Sequence, residues 1–216
     1  MTSDKDQLYA APRDDAGRFR FDEQVARVFP DMINRSVPGY GLLLEMIAVI
    51  TSAKARAGTC LYDLGCSLGA ATLAMRHALH ADLAASADIR IIAVDNSAPM
   101  IERCRGILEQ DRHPVPVSLV CADIESISFL PCSVVTMNFT LQFIALERRA
   151  ALLGKIAQGL CRGGALILSE KLRFADDAEE RMLQDLHHDF KHARGYSRLE
   201  IARKRAALEQ VLVPRS

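Results

Sequence analysis

From Cys60 to Lys171 the chain alternates short, uninterrupted apolar runs with segments of helical periodicity. CLYDLG precedes GAATLAMRHALHADL, and IRIIAVDN precedes APMIERCRGILEQD. VPVSLVCAD follows, SVVTMNFTL precedes LERRAALLGKIAQGL, and GALILSEK closes the series. Apolar runs without polar alternation suit strands buried on both faces, as in a parallel sheet with helices on either side. Strand and helix in repeated succession give an α/β fold with a doubly wound, mostly parallel sheet.

The flanks follow other rules. Residues 1–21 read as a loosely held arm. FDEQVARVFPDMINRSVPGY has helical periodicity that breaks at Pro30 and again at Pro38, and GLLLEMIAVITSAKAR is a helix ended by Gly58. After Lys171, DDAEERMLQDLHHDFKHARG and SRLEIARKRAALEQVL are helical segments without a strand signal. The expected organisation is a single domain over 1–216, with an N-terminal arm and helices (1–57), an α/β core (58–171) and a helical appendage (172–216).

Charge narrows the partners. Lys and Arg total 27 and Asp and Glu total 27, so no net charge steers the chain to nucleic acid or membranes. Arg194 to Arg205 holds five positive side chains, which a solvated helix face explains. The polar N-terminus lacks a signal-peptide pattern, and no apolar run has the length of a membrane span, so a cytoplasmic location is expected. The six cysteines contain no CxxC pair and read as reduced, buried small hydrophobes, with no metal site. Cys66 stands apart, inside a glycine turn, without a neighbouring histidine to make it a nucleophile.

Ligands of open parallel sheets bind outside the carboxyl ends of the strands. Asp63 ends the first apolar run, and Gly65 and Gly69 allow a tight turn against a ligand at a helix start. DLGCSLG is shorter than a dinucleotide GxGxxG fingerprint, and an ordinary strand-to-helix turn takes glycines too. The second run ends in Asp95, placed to accept from both hydroxyls of a ribose. Its alternative task, capping the next helix, falls equally well to Asn96 or Ser97. The third run ends in Asp123 and Ile124, suited to an exocyclic amine and an adenine ring, and the fourth in Asn138. Polar residues at four successive strand ends point to a nucleoside site of the S-adenosyl-methionine type.

DLGCSLGAAT, AVDNSAPMIERCR, NFTLQF and GGALILSEK resemble the class I methyltransferase-like fold. FDEQVARVFPDMINRSVPGY and HHDFKHARGYSRLEIARKRAALE resemble one family within it, the carboxy-S-adenosyl-L-methionine synthases. The resemblance implies conversion of S-adenosyl-L-methionine and prephenate to carboxy-S-adenosyl-L-methionine and phenylpyruvate. It implies no metal, a homodimer, and a functional link to a tRNA uridine carboxymethyltransferase that modifies the wobble position, without direct nucleic-acid binding. It places the carboxylate-binding arginine on Arg205 and a cofactor contact on Tyr40, the two residues expected at the chemistry. Cofactor contacts also fall on Gly65, Cys66, Ser67, Asp95, Asn96, Asp123, Ile124 and Asn138. Without the resemblance Arg205 reads as a solvated helix arginine and Tyr40 as a core tyrosine at a helix edge. Tyr196, His187 and His188 are further candidates for the substrate pocket. The resemblance also implies two more strands after LEQVLVP, one antiparallel, without which GALILSE stands as an unpaired edge. An ordinary methyltransferase acting on a small molecule or tRNA would share every residue from Asp63 to Asn138, and a non-catalytic cofactor-binding partner subunit is a further reading.

Overall fold

The computed structural model describes residues 4–11, 19–79, 88–209 and 211–214. Among the described residues five strands form one sheet in the order β3-β2-β1-β4-β5, and every pairing is parallel. They are β1 (Cys60–Leu64), β2 (Arg90–Asp95), β3 (Val117–Cys121), β4 (Cys132–Asn138) and β5 (Leu160–Ser169). Between them run α3 (Ala70–His77), α4 (Ala98–Gln110) and α5 (Leu146–Gly159), with a short 3-10 turn at Leu141–Phe143. Two helices precede the sheet, α1 (Glu23–Ser36) and α2 (Tyr40–Lys54), and two follow it, α6 (Asp177–Ala193) and α7 (Arg198–Leu208).

The pleat explains the continuous apolar runs. Successive residues point to opposite faces. Leu61 therefore packs with Ile47 of α2, Ala71 and Met75 of α3, Ile91 and Val134. Tyr62 and Leu64 pack on the other side with Val135, Met137, and Leu152 and Ile156 of α5. All five residues of β1 are buried, so Asp63 is carried into the interior with them. The strand order reverses between β1 and β4, which opens a crevice at the carboxyl ends of the central strands.

Several expectations need correction. Pro30 does not break α1, which runs through it with Asp22 capping its start by accepting from the Val25 N–H at 2.9 Å. Proline forfeits one backbone bond, and the buried face of Val25, Ala26, Val28 and Met32 offsets that loss. The break at Pro38 does occur, where the chain turns through Gly39 and α2 leaves α1 at 96°. Residues 4–11 of the arm are pinned, because the buried Asp6 carboxylate accepts from the Tyr196 hydroxyl at 2.5 Å and faces the Lys204 ammonium at 3.4 Å. β4 ends at Asn138, and Leu141 belongs to the 3-10 turn. β5 begins at Leu160, four residues before GALILSE, with a register shift against β4 between Cys132 and Val134. Cys60, Cys66, Cys104 and Cys132 are buried, but Cys121 is exposed. The stretch after His77 that was expected to extend α3 lies partly outside the described residues. Among the described residues β5 is a sheet edge, and no single helix is long and apolar enough to cross a membrane.

Candidate functional site

A cavity of about 1020 Å³ lies over the carboxyl ends of β1 to β4, roofed by α1, α2, α6 and α7. Its floor is built from the strand-end turns. Gly65, Cys66 and Ser67 come from the turn after β1, Asp95 and Asn96 from the end of β2, Asp123 and Ile124 from the turn after β3, and Asn138 from the end of β4. Tyr40, the first residue of α2, lines it from above.

The turn after β1 needs its glycines for packing. Gly65 has φ 77°, and a Cβ there would lie 2.3 Å from the Thr140 hydroxyl oxygen. Gly69 has φ 84°, and a Cβ there would lie 2.7 Å from Cys104 Sγ. Gly69 does not line the cavity, so its part is the close approach of α3 to α4. Ser67 adopts φ 48° between them, a conformation costly for a non-glycine residue. It is held by Asp95, whose Oδ2 accepts from the Ser67 N–H at 2.9 Å while Oδ1 accepts from the Ser97 N–H at 2.9 Å. The helix cap itself is Ser97, accepting from the Met100 N–H at 3.3 Å. Asp95 thus clamps two turns and keeps a lone pair on each oxygen for a ligand hydroxyl.

Burial shapes the charge of this floor. Asp63, 1% exposed, accepts from the Thr72 hydroxyl at 2.6 Å, and burial, with Asp95 nearby, pushes its carboxyl up to about 6. Burial raises Asp95 as well. The Tyr40 phenol is pushed up to about 12 by burial and by Asp63, so it remains a proton donor at neutral pH. Asn138 Oδ1 is buried without a hydrogen-bond partner among the described residues, an acceptor that a ligand N–H or O–H would satisfy. Asp123 Oδ1 accepts from the Glu125 N–H at 2.8 Å, leaving its other oxygen free to accept. These acceptors suit a nucleoside with ribose hydroxyls, an exocyclic amine and an ammonium group.

The other end of the cavity is cationic. Lys171 follows β5, His187 and Lys191 stand on α6, and Lys204 stands on α7. His187 Nε2 lies 2.7 Å from the Ser36 carbonyl and therefore carries the hydrogen. Burial, with Lys191 close by, lowers its pKa to about 4, so the ring is neutral. Lys204, 6% exposed, donates to Asp6 at 3.4 Å and to the Ser36 hydroxyl at 3.2 Å.

Of the residues expected at the site, Tyr40, Gly65, Cys66, Ser67, Asp95, Asn96, Asp123, Ile124 and Asn138 all line this one cavity. Arg205 does not. Lys204 and Leu208 face inward, and the next residue is about 100° further round the helix. Arg205 is half-exposed, donates to Glu209 at 2.5 Å, and lines a separate groove between α6 and α7. His188 lies in that outer groove too. Tyr196 is buried beneath the arm, its ring stacked under the Arg35 guanidinium at 3.8 Å, and is not a cavity residue. The Cys66 thiol is raised by its contact with Cys104 and by burial, which removes it as a nucleophile. Within the basic stretch from Arg194, Lys204 is buried, contrary to a wholly solvated face. Lys191 and Lys204 escaped the sequence, because only the packing of α6 and α7 selects which of their many charges turn inward; Lys171, just after β5, is brought to the cavity by the fold. Among the described residues no group of three or more His, Cys, Asp or Glu side chains is placed to hold a metal ion.

Residues 61–164 match the family model of a methyltransferase domain. The carboxy-S-adenosyl-L-methionine synthase of Hahella chejuensis is 53% identical over 214 residues, covering 99% of this chain and 86% of the relative. That of Stutzerimonas stutzeri is 54% identical over 220 residues, covering 100% of this chain and 87% of the relative. Among solved structures, the cyclopropane synthase MmaA2 from Mycobacterium tuberculosis aligns with TM-score 0.54 at 14% identity, over 91% of this chain and 59% of that one. DesVI of Streptomyces venezuelae aligns with TM-score 0.53 at 16% identity, over 73% of this chain and 62% of that one. At such identities the two structures speak for the fold alone.

Proposed function

Since the chain belongs to the carboxy-S-adenosyl-L-methionine synthase family, we propose that its cavity binds S-adenosyl-L-methionine and prephenate together. There it forms carboxy-S-adenosyl-L-methionine, phenylpyruvate and water. The observation that carries this reading is one cavity that joins an acceptor-rich floor to a cationic far wall. Its volume of about 1020 Å³ is at the top of the range for one small ligand, which leaves room for a second.

Prephenate loses its ring carboxylate as carbon dioxide and its ring hydroxyl as hydroxide while the ring becomes aromatic. The hydroxide takes a proton from the sulfonium methyl and leaves as water. The resulting ylide carbon attacks carbon dioxide, and a new carboxylate forms. Nothing here needs a protein nucleophile, in keeping with the inert Cys66. The chain's own residues position and exclude water. Asp95 holds the ribose, Asp123 and Ile124 hold the adenine, and Asn138 and Asp63 accept from the ammonium of the methionine part. Tyr40 donates its phenolic hydrogen bond at the sulfonium end. The single-domain organisation and the cytoplasmic location belong to the same reading, as does supply of the product to a tRNA uridine carboxymethyltransferase.

Arg205 enters only through a second copy. Its place on the outer face of α7 puts it outside its own cavity, so a clamp on the new carboxylate requires a homodimer that brings one copy's Arg205 to the mouth of the other. Arg205→Ala then weakens binding of the carboxylated product by about 2–4 kcal/mol and of S-adenosyl-L-methionine far less, as a titration of both ligands would show.

The reaction is tested by incubating the protein with S-adenosyl-L-methionine and prephenate and following phenylpyruvate by its ultraviolet absorbance in base. Phenylpyruvate that forms only when both are present supports the proposal. Methyl transfer to an acceptor with prephenate untouched supports an ordinary methyltransferase instead.

A further inference from the structure

The cationic wall has a feature that a nucleoside does not explain. Lys191 is half-buried on the cavity-facing side of α6, in register with Leu183, His187 and Phe190. Among the described residues no carboxylate pairs with its ammonium. The acids of the same helix turn elsewhere, since Asp185 and Asp189 line the outer groove. Glu180 accepts from the Phe174 N–H at 2.9 Å and from Gln184, and the carboxylate that feels Lys171 is this one. Asp6 is already engaged by Tyr196 and Lys204, and Asp31 by Arg35 at 2.9 Å. His187 is neutral and hydrogen-bonded to Ser36, so it supplies neither a counter-charge nor a competing cation. The groups that bear on Lys191 are burial and two further cations, Lys204 and Lys171, which together lower its pKa to about 8. A cluster of like charges at a cavity wall is costly unless an anion completes it.

We infer that Lys191, with Lys171 beside it, binds the side-chain carboxylate of the dicarboxylate substrate, the one that survives into the product. The inference rests on the synthase reading and adds the residues that hold the second substrate. The choice between the two carboxylates follows from the chemistry. The ring carboxylate must shed its charge as carbon dioxide, and an ammonium paired with it would stabilise the starting state more than the transition state. The side-chain carboxylate keeps its charge throughout, so a cation there anchors the substrate without opposing the reaction. Leu183 and Phe190, one turn either side of His187, give the six-membered ring an apolar wall. The ring carboxylate then points toward the floor, where the sulfonium sits.

The test compares steady-state kinetics and cofactor affinity in wild type, Lys191→Met, Lys191→Arg and Lys171→Met. Lys191→Met should raise KM for prephenate at least about tenfold, the size of a lost charge-assisted hydrogen bond, and weaken product inhibition by phenylpyruvate in parallel. The dissociation constant of S-adenosyl-L-methionine should stay within about twofold, which also reports that the pocket is folded. Lys191→Arg should restore most of the loss, and Lys171→Met should shift KM in the same direction by less. Unchanged KM with a folded pocket overturns the inference while the synthase reading stands. So does an equal loss of affinity for both substrates in Lys191→Met and Lys171→Met. Should wild-type protein form no phenylpyruvate, the synthase reading falls and the inference with it. If Lys191→Met does not fold, Lys171→Met decides, and a normal KM there overturns it.

Discussion

The two ends of the cavity are assembled in opposite ways. The floor is made by the sheet: its polar residues sit at the ends of β1 to β4, each within a few positions of its strand. The far wall is made by helices and the arm, and its key pair, Asp6 and Lys204, spans 198 positions of sequence. The floor is rich in acceptors, with Asp63, Asp95 and Asp123 facing it, and the wall is rich in ammonium groups. A parallel sheet fixes where its carboxyl ends lie, so the floor is rigid by construction. The wall depends on how α6, α7 and the arm pack, and its charges are held by a few buried contacts.

The largest effect should come from breaking the wall's central contact. Lys204→Met leaves the Asp6 carboxylate buried with the Tyr196 hydroxyl and the Leu8 N–H as donors and no ammonium beside it. Losing one partner of a buried pair costs about 3–5 kcal/mol. Urea unfolding should show that loss in the midpoint with the slope unchanged. A loss below about 1 kcal/mol would mean that the arm contributes little to the wall.

Next in size is the titration of the floor. Asp63 is in the ordinary carboxylate range when unfolded and at about 6 when folded. The folded chain therefore binds the extra proton. Its contribution is fully present below the unfolded value and is lost as pH rises through about 6, a change of about 3 kcal/mol. Stability of wild type should fall over that window relative to Asp63→Asn, measured by denaturant midpoints across pH. Parallel curves for the two proteins would contradict the burial argument.

Asp95→Ala should act on the floor alone. It removes the acceptor for the ribose and frees the Ser67 and Ser97 N–H groups, so affinity for S-adenosyl-L-methionine should fall by about 1.5–3 kcal/mol in a calorimetric titration. KM for prephenate should respond much less. Equal losses for both substrates would erase the distinction between floor and wall.

Legibility in the sequence follows the same division. The strands, the order of elements and Gly65, Asp95, Asp123, Ile124 and Asn138 could be read because apolar runs, a turn glycine and polar strand ends sit together along the chain, whereas Cys66, Ser67 and Asn96 entered only through the family resemblance. Asp63 was visible as the end of a run, but its burial follows from β1 being the central strand. Pro30 misled, because local helix-breaking lost to the apolar face that α1 buries on both sides of it. Arg205 and Lys204 are adjacent in sequence and lie on different faces of α7. No periodicity in ARKRAAL separates the buried cation from the exposed one; the contact with Asp6 does.

The central claim is that floor and wall hold two substrates at once, so that carbon passes directly from one to the other. Prephenate isotopically labelled in its ring carboxylate, incubated with S-adenosyl-L-methionine and the protein, tests it by mass spectrometry of the nucleoside. The account predicts a nucleoside that has gained one carboxylate carrying the label, with an equal amount of unlabelled phenylpyruvate. A demethylated nucleoside without label, beside unreacted prephenate, would contradict it.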